Sequence, residues 1–369
     1  MATNPSKYPI AIDMDNDEIH AAQLKQTRKG LEIKALRYNS IDLNGGSDAN
    51  KEEVYRGFLK EIASDRRFSG KKVVLHMPSD YISSFPLNIQ KKDEETIEEA
   101  ILKESSSYIS FPLDDAVIDY PSLSVLYSDT GESYKVIMVA TRRSHISNHI
   151  KMLKKAGFDV MVIDYDIKSL IRLHTHLFGA TNEDEGVILC NIENNETLIS
   201  IITGSSILAE RHITWGMKQL VKSIQLNLDL MDEYQKAKKL LREYGLSHEK
   251  NSASKGPVET GGDDTGSGII QAMYQISMPR VEELCDEIHK VTAYLRSDMI
   301  NTPISKAYFY GQANFVKDLD FFIENRLNVP TQIVNPVTGF TLAEGVKLYE
   351  DIEGSIFGLT LGLAMRNVR

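Results

Sequence analysis

The chain has 369 residues, of which 42% are hydrophobic and 25% are charged, a composition typical of a soluble globular protein with more than one domain. Its net charge of −10 argues against nucleic acid, whose phosphates need a basic surface, and against direct contact with anionic lipid. The two cysteines, Cys190 and Cys285, offer no disulfide framework, and both lie in apolar patterns that predict burial in a reducing compartment.

The first 80 residues alternate between short strand and helix patterns. Three apolar runs bounded by turn residues predict a β-meander: residues 8–14, 19–25 and 31–38. Residues 51–65 predict an amphipathic helix, and residues 71–77 predict a buried strand. We assign residues 1–80, together with 161–180, to the core of a first lobe.

A smaller unit is predicted next, as an inserted subdomain at residues 81–160. Its predicted elements are a strand, a helix, two strands and a helix: residues 81–89, 93–107, 116–126, 133–141 and 142–156. Gly157 is expected to end the last helix, because glycine tolerates the left-handed conformation found there. A strand at 160–163 and a helix at 167–177 then return the chain to the first lobe.

The acidic segment 181–185 separates the first lobe from a second one at residues 186–345, where the opening pattern repeats. Three strand patterns are again followed by a helical pattern: residues 187–192, 197–203, 207–213 and 217–244. A duplicated opening, one copy per lobe, is typical of the actin and sugar-kinase architecture. The predicted fold class is therefore α/β, an actin-like (ribonuclease H-like) duplicated two-lobed fold with an inserted small subdomain.

Residues 247–268 differ in composition from the rest of the second lobe. They are rich in Gly, Ser, Asp and Lys, and because they can bury little apolar surface we expect a mobile surface loop. The later patterns predict three helices and two strands: residues 279–299, 306–310, 315–327, 332–334 and 354–366. Residues 346–369 are expected to return to the first lobe as a C-terminal helix.

Four segments, in chain order, resemble the PilM family of type IV pilus assembly proteins, to which the cell-division actin homologue FtsA is a more distant relative. They are residues 108–115 (Tyr-Ile-Ser-Phe-Pro-Leu-Asp-Asp), 139–158, 329–336 (ending in Asn-Pro) and 359–366. The resemblance extends from about residue 8 to residue 366. It implies an actin-like fold with an inserted subdomain.

The resemblance also implies a cytoplasmic protein that binds the short cytoplasmic N-terminus of an inner-membrane partner, PilN. Such proteins form part of the ring that links the pilus motor ATPases to the envelope machinery. The first residues carry no signal-peptide pattern, and the apolar tract at residues 356–365 is too short to cross a membrane. We expect a protein peripheral to the inner membrane through its partner, without direct membrane insertion; contact with motor ATPases and self-association stay open.

The nucleotide site that the resemblance implies is degraded at its first hairpin. Actin-type ATPases hold polyphosphate between two β-hairpins, whose glycines let backbone amides approach the phosphates and whose Asp residues position magnesium. The family's first hairpin reads Asp-Ile-Gly-Ser, with a Lys four residues beyond the Ser. Here Asp13 is kept, but Asp15 replaces the Gly, Asn16 the Ser and His20 the Lys.

The second hairpin is degraded in the same way. The family pattern, Asp-Ile-Gly with a Thr four residues beyond the Gly, is represented by Asn191, Glu193 and Thr197, and the family's adenosine-contacting Gly-Gly-Gly-Ala turn keeps only Gly311. A carboxylate about 5 Å from a phosphate charge costs about 3 kcal/mol at an effective dielectric constant of about 20. We therefore predict a pseudo-ATPase that needs no cofactor, with weak binding of ATP and magnesium left open.

The acidic turn of the first hairpin also has a metal-site interpretation. Asp13, Asp15 and Asp17 have the spacing that begins an EF-hand calcium loop. Glu18 stands where that loop requires Gly, and Leu24 stands where it requires the bidentate Glu. A polar turn is the better interpretation.

Two other pairs of polar residues are weaker candidates for a metal or catalytic site. His145 and His149 share a predicted helix face, but the Glu of the zinc-protease motif does not follow His145, so a solvated helix face is favoured. Asp164 and Asp166 follow a predicted strand and are assigned a structural role. We predict no metal site.

The partner peptide is expected in a groove beside the inserted subdomain. The candidate groove residues are aromatic or apolar: Tyr108, Ile109, Phe111, Pro112 and Tyr120. Aromatic anchors dominate many interfaces, but the same residues could form the subdomain's core, and both interpretations are kept. The neighbouring Asp114, Asp115 and Asp119 could steer a segment that carries Arg or Lys.

The predicted function is that of a non-catalytic cytoplasmic adaptor or scaffold in a type IV pilus or related machine. Two alternatives stay open. One is an actin-like ATP-binding protein or ATPase, which the altered hairpins disfavour. The other is the cytoplasmic platform component of a type II secretion system, which shares the fold and is normally followed by a membrane helix.

Overall fold

The computed structural model describes residues 7–15, 17–40, 48–91, 95–128, 131–204, 206–247, 264–297, 302–346, 348 and 354–366. The chain divides into two compact units. The first comprises residues 1–179, 337–348 and 357–369, and the second comprises residues 180–336 and 349–356.

The described strands and helices are numbered here in chain order. The strands are β1 (Lys7–Met14), β2 (Glu18–Thr27), β3 (Gly30–Ser40), β4 (Lys72–His76), β5 (Ser83–Ile89), β6 (Ala116–Ser128), β7 (Gly131–Arg142), β8 (Asp159–Ile163), β9 (Gly186–Ile192), β10 (Thr197–Thr203), β11 (Ser206–Ile213), β12 (Ile304–Gly311), β13 (Thr331–Ile333) and β14 (Thr341–Leu342). The α-helices are α1 (Asp48–Ser64), α2 (Ile97–Ser105), α3 (Arg143–Lys155), α4 (Asp166–Phe178), α5 (Met217–Asn227), α6 (Tyr234–Glu243), α7 (Asp264–Ser297), α8 (Leu319–Leu327) and α9 (Gly358–Ala364).

Each unit is built on a mixed sheet, and apart from the edge strand β14 the two sheets have equivalent orders of strands. In the first unit the order is β14-β3-β2-β1-β4-β8, and in the second it is β11-β10-β9-β12-β13. Each sheet starts with an antiparallel meander, and its next two strands add in parallel beside the meander's first strand. The duplicated opening predicted from the sequence is therefore present in the topology.

Helices cover both faces of the first sheet. Side chains of α1 and α3 join one face in a single core, to which Ile10, Phe58 and Leu153 contribute. Asp13 points to the other face of β1, where Thr360 on α9 contacts it. All seven residues of α9 are buried, because the helix lies between α4 and the sheet.

A separate three-stranded antiparallel sheet, in the order β5-β7-β6, is inserted between β4 and α3. α2 packs on it around a small core of Leu87, Ile101, Val136 and Met138. α3 and Phe158 belong to the core of the six-stranded sheet instead. The inserted strands and helix therefore end at Arg142, whereas the sequence placed the boundary at residue 160.

The prediction of one long helix at residues 217–244 is wrong, because the structure has two helices there, α5 and α6. Asp229 adopts the left-handed conformation, with a φ of 54°, and the Leu230 amide donates to the Gln225 carbonyl at 2.8 Å. This hydrogen bond ends α5 in a Schellman arrangement, in which glycine is the usual left-handed residue. The sequence has Asp at that position, so no glycine marked the end of α5.

α7 begins earlier than predicted and runs through Pro279. The expected mobile loop at residues 247–268 lies mostly outside the described residues. Two described parts contradict it: residues 264–268 start α7, and the buried Ser247 hydroxyl donates to Asp318 at 2.7 Å. None of the helices within the described ranges is long and apolar enough to cross a membrane.

The close contact of α9 with α4 depends on a glycine. A Cβ at Gly362 would lie 2.1 Å from the Ser169 carbonyl oxygen, and the Gly362 carbonyl accepts a hydrogen bond from Arg172 Nε at 3.1 Å. The Asp164 carboxylate accepts hydrogen bonds from the guanidinium groups of Arg172 and Arg366. This buried carboxylate therefore has a structural role, as the sequence suggested.

We predict that Gly362→Ala lowers the free energy of unfolding by about 1–3 kcal/mol, because the methyl group forces α4 and α9 apart. The matched control is Gly57→Ala on the exposed face of α1, where a Cβ meets nothing within 4 Å. That change should leave stability unchanged or raise it by up to about 1 kcal/mol through helix propensity. Urea unfolding measures both variants, and equal effects would contradict the packing account.

Candidate functional site

The first hairpin carries a buried ion pair. Asp13, at the end of β1, lies beside His76, at the end of β4, because the two residues are partners in the parallel pairing of these strands. His76 Nδ1 lies 2.9 Å from Asp13 Oδ1, and the Thr360 hydroxyl donates to Asp13 Oδ2 at 3.4 Å. The Asp13 carboxylate is thus engaged with the protein's own side chains on both oxygens.

The titration behaviour of the pair follows from its surroundings. Burial alone would raise the pKa of Asp13, but the hydrogen bond and charge of His76 hold that pKa below its ordinary value. Burial alone would lower the pKa of His76, yet the hydrogen bond and charge of Asp13 raise it to about 9. At neutral pH the pair is therefore a carboxylate and an imidazolium.

His20, at the position of the family's Lys, lies between two carboxylates. Its Nδ1 is 3.7 Å from Asp13 Oδ2, and its Nε2 is 3.7 Å from Glu18 Oε2. The ring packs beside Tyr38, and the Tyr38 hydroxyl donates to Glu18 Oε1 at 2.9 Å. His20 is buried, and its ring also packs against that of Phe357, at 5.6 Å between centroids.

Asp15, at the position of the family's first glycine, closes the turn of the hairpin. Its amide donates to the Glu18 carbonyl at 3.0 Å, and its own carbonyl accepts a 2.6 Å hydrogen bond from the Tyr55 hydroxyl. The turn is thus fastened to α1. The predicted residue Asn16 lies outside the described residues.

In the second unit, two of the altered hairpin positions bind each other. Asn191 Nδ2 donates to Glu193 Oε1 at 2.8 Å. The Thr197 hydroxyl, fully buried, donates to the Trp215 carbonyl at 2.8 Å and so ties β10 to the segment before α5. These contacts give Asn191, Glu193 and Thr197 structural partners within their own unit.

The N-terminal amides of α5 are also occupied by this hairpin. The Met217 amide donates to the Glu193 carbonyl at 2.9 Å, and the Lys218 amide donates to the Asn194 carbonyl at 2.8 Å. Gly216 permits this approach, because a Cβ there would lie 2.4 Å from the Asn194 carbonyl oxygen. A helix N-terminus is a common anion site, but here its amides serve the protein's own carbonyls.

Gly311 is required by the sheet itself. Its φ is 71°, and a Cβ there would lie 2.2 Å from the Ile192 carbonyl oxygen. The adjacent Gln312 side chain accepts a hydrogen bond from Lys238 Nζ at 2.8 Å. The one glycine retained from the adenosine turn is therefore explained by the close approach of β12 to β9.

The other polar candidates have packing roles. Sequence reasoning placed His145 and His149 on a solvated helix face, which is wrong for His149: it is buried, and its Nδ1 lies 2.8 Å from the His145 carbonyl. The Tyr81 ring packs against both imidazoles, at 4.5 and 5.6 Å between centroids. Across the part of the chain that the structure describes, no cluster of three His, Cys, Asp or Glu side chains is placed to hold a metal ion.

The two cysteines are buried, as predicted. Burial raises the pKa of both thiols, so neither forms the reactive thiolate at neutral pH.

The candidate groove residues divide into an exposed and a packed group. Tyr108 has 43% of its surface exposed, and its ring lies 5.7 Å from that of Phe85; Pro112 is also exposed. Phe111 is half-buried beneath the Arg142 guanidinium, whose carbon lies 4.5 Å from the ring centroid. Tyr108, Phe111 and Pro112 therefore present aromatic and apolar surface to solvent.

Ile109 and Tyr120 are placed differently, since both pack against the small core of the inserted sheet. The Tyr120 hydroxyl also donates to Glu98 on α2 at 3.0 Å. For these two residues the structure favours the core interpretation that the sequence left open. Around the exposed group, Asp114 and Asp119 are exposed, whereas Asp115 accepts a hydrogen bond from Arg142 at 3.4 Å.

Sequence reasoning missed the residues that engage Asp13. His76 ends the apolar strand that the sequence predicted at residues 71–77, and this single imidazole was the available signal. Thr360 lies 347 residues from Asp13 in the chain, and no local pattern marks it.

A family model described as "Type IV pilus assembly protein PilM" matches residues 11–368. Among solved structures, a "PilM-PilN type IV pilus biogenesis complex" is similar with a TM-score of 0.74 and 20% identity, over 99% of this chain and 100% of that one. With the duplicated topology, this likeness shows the predicted actin-like fold.

Two looser likenesses have TM-scores below 0.5. The ethanolamine utilization protein EutJ from Carboxydothermus hydrogenoformans has a TM-score of 0.49 and 10% identity, over 98% of this chain and 90% of that one. MreB5 of Spiroplasma citri bound to ADP has a TM-score of 0.48 and 12% identity, over 97% of this chain and 95% of that one. Neither bears on the function of this chain.

We predict that His76→Gln lowers the free energy of unfolding by about 3–5 kcal/mol near pH 6, because it leaves Asp13 buried without its counter-charge. The raised pKa of His76 means that its contribution is fully present below about pH 6.5 and is lost as pH rises through about 9. The lowered pKa of Asp13 means that its contribution is lost as pH falls below about 4. The stability difference should therefore be largest between about pH 4 and 6.5 and shrink towards pH 9.

The measurement is urea unfolding of the chain and the variant at several pH values. His289→Gln, on the exposed surface of α7, is the matched control and should show little effect at any pH. A stability difference for His76→Gln that stays constant from pH 6 to pH 9.5 would count against the ion pair.

Proposed function

The chain belongs to the PilM family of type IV pilus assembly proteins, and we propose that it serves its machine as a non-catalytic adaptor. In this proposal it binds the cytoplasmic N-terminal peptide of a PilN-like inner-membrane protein and is held at the membrane through that partner. The structurally similar complex contains PilM and PilN, which supports the type of partner. The observation that carries the proposal is the apolar surface between α2 and β6, where Tyr108 and Pro112 are exposed and Phe111 is half-buried.

The chemistry of that surface suits a short apolar peptide with basic flanks. Pro112 restrains the backbone, so the neighbouring aromatic rings are presented at a low entropic cost. The exposed carboxylates Asp114 and Asp119 add negative charge, and the cytoplasmic segments of inner-membrane proteins are rich in Lys and Arg. Aromatic anchors would supply most of the affinity, and the acidic rim would mainly raise the association rate.

The absence of catalysis is part of the same proposal, and the hairpins support it. At the first hairpin a magnesium ion would have to compete with His76 for Asp13, and a phosphate would meet the negative charges of Asp15 and Glu18. At the second hairpin Glu193 adds another carboxylate, and the first amides of α5 are already bound. The residues present thus fit a magnesium–polyphosphate group poorly.

We predict that ATP with magnesium binds more weakly than low-micromolar affinity and is not hydrolysed. Titration calorimetry and a phosphate-release assay measure the two quantities. The double change Asp15→Gly and Glu193→Gly removes two carboxylates and should strengthen nucleotide binding, while Glu53→Gly on the exposed surface of α1 should not. Low-micromolar affinity or turnover by the unmodified chain would contradict the proposal.

For the partner surface, we predict that Tyr108→Ala and Phe111→Ala each weaken binding of a PilN-like N-terminal peptide about 30-fold or more, since a buried anchor contributes about 2 kcal/mol or more. Fluorescence anisotropy with a labelled peptide measures this. Met231→Ala, with 60% of the Met231 surface exposed in the second unit, is the matched control and should leave affinity unchanged.

The variant Ile109→Ala distinguishes a role in peptide binding from a role in the core of the inserted sheet. Because Ile109 packs in the core of the inserted sheet, this change should lower the melting temperature by several degrees. Tyr108→Ala should leave the melting temperature almost unchanged. If Tyr108→Ala and Phe111→Ala lost stability but kept peptide affinity, the groove assignment would be wrong.

A further inference from the structure

One end of the six-stranded sheet is basic, although the chain as a whole is acidic. We propose that this end is a docking surface for the anionic headgroups of a lipid bilayer. It consists of six exposed side chains, which we call the basic rim: Arg28, Lys29, Arg66, Lys71, Lys154 and Lys155.

The topology brings these residues together. Arg28 and Lys29 lie in the turn between β2 and β3, next to the start of β1, since Lys7 pairs with Lys25. Arg66 and Lys71 lie in the loop that leads into β4. Gln23 of β2 binds this loop through hydrogen bonds with both the Ser69 carbonyl and the Ser69 amide at 2.8 Å, so loop and turn share one end of the sheet.

The last two rim residues lie on α3. Lys154 and Lys155 form its C-terminal turn, directly before β8, and the Asp159 amide donates to the Lys71 carbonyl at 2.7 Å. Basic residues at a helix C-terminus are common in themselves, because they complement the helix dipole. Here Lys154 and Lys155 lie beside cations from a β-turn and a loop, and the helix dipole does not explain those cations.

Two acidic residues at this end are already paired with other cations. Glu32 pairs with Lys25 at 2.7 Å, and Asp65 pairs with Arg67 at 2.6 Å. Asp159, at the start of β8, is exposed and adds one negative charge beside the six cations. The rim therefore keeps a net positive charge.

The negative charge of the first hairpin is too distant to cancel the rim. Asp13 lies beside His76 in the strand register, five residues beyond Lys71, which is about 16 Å at about 3.3 Å per residue. That distance is about twice the Debye length of about 8 Å at physiological ionic strength. The net charge of −10, from which the sequence predicted no contact with anionic lipid, therefore does not describe this surface.

The shape of the rim favours a membrane over a discrete ligand. It extends from β2 to β8 across three strand spacings of about 4.8 Å, or about 14 Å, which is wider than a single phosphate. A nucleic-acid surface would be expected to interleave exposed aromatic side chains for base stacking, whereas at this end of the sheet Phe68 is buried and Tyr8 is half-buried. Each such cation near an anionic bilayer contributes about a fivefold increase in binding.

The test is co-sedimentation of the full chain with vesicles, without any partner protein. Vesicles of phosphatidylcholine alone are compared with vesicles containing about one third phosphatidylglycerol, at low and high salt. We expect binding to the anionic vesicles only, and its loss at about 0.5 M salt, where charges are screened.

The rim variant combines Lys71→Glu, Lys154→Glu and Lys155→Glu, and it should weaken vesicle binding by about 100-fold or more. The matched control reverses three lysines exposed in the second unit, Lys236→Glu, Lys239→Glu and Lys290→Glu, and so changes the net charge equally. The control should retain most of the binding. Unchanged melting temperatures would show that both variants fold.

Three results would overturn the proposal. The first is equal partitioning to neutral and anionic vesicles, or to neither. The second is an equal loss of binding in the rim and control variants. The third is tighter binding, at the same salt concentration, to a single-stranded RNA oligonucleotide, which would assign the rim to nucleic acid. Since no peptide is present, these results do not depend on the adaptor proposal.

Discussion

The buried ion pair between Asp13 and His76 connects the parts of the first unit that meet at the hairpin. It joins β1 to β4 directly, and through Thr360 it reaches α9, which lies between the sheet and α4. A buried charge is costly unless it is paired and hydrogen-bonded, so each partner requires the other. The same pairing occupies the acidic residue that the family pattern assigns to magnesium. We propose that this one interaction both stabilises the hairpin and disfavours its use as a nucleotide site.

Much of the fold could be predicted because its signals are local. The duplicated meander is encoded in short apolar runs bounded by turns, and Gly157 ends α3 with a φ of 90°, as glycine usually does. The break after α5 was missed because Asp229, rather than glycine, takes the left-handed position. The composition of residues 264–268 predicted a loop, but that segment forms the first turns of a long helix.

The candidate site was less predictable, because its contacts join distant parts of the chain. The family pattern identified Asp13, Glu193 and Thr197, but only strand register shows that His76 faces Asp13. The sequence could not show which of the candidate groove residues are exposed and which belong to the core, since their exposure depends on how α2 covers the inserted sheet. The structure separates the exposed Tyr108 from Ile109, its neighbour, which packs in the core.

The two proposed surfaces are connected by α3. The Arg142 guanidinium, directly before this helix, lies over the Phe111 ring, and Lys154 and Lys155 of the basic rim form its last turn. The 13 residues of α3 extend about 20 Å at about 1.5 Å per residue. If the rim lies on the bilayer, a membrane-anchored peptide must cover about that distance to reach Phe111, which takes about 6 residues of extended chain.

The central claim is that Asp13 is held by a protonated His76 instead of serving a nucleotide. Nuclear magnetic resonance of the His76 ring, followed through a pH titration with and without ATP and magnesium, tests it most directly. The account predicts an imidazolium that persists to about pH 9 and signals unchanged by the nucleotide. A His76 pKa near 6.5, or signals that shift at low-micromolar ATP, would contradict it.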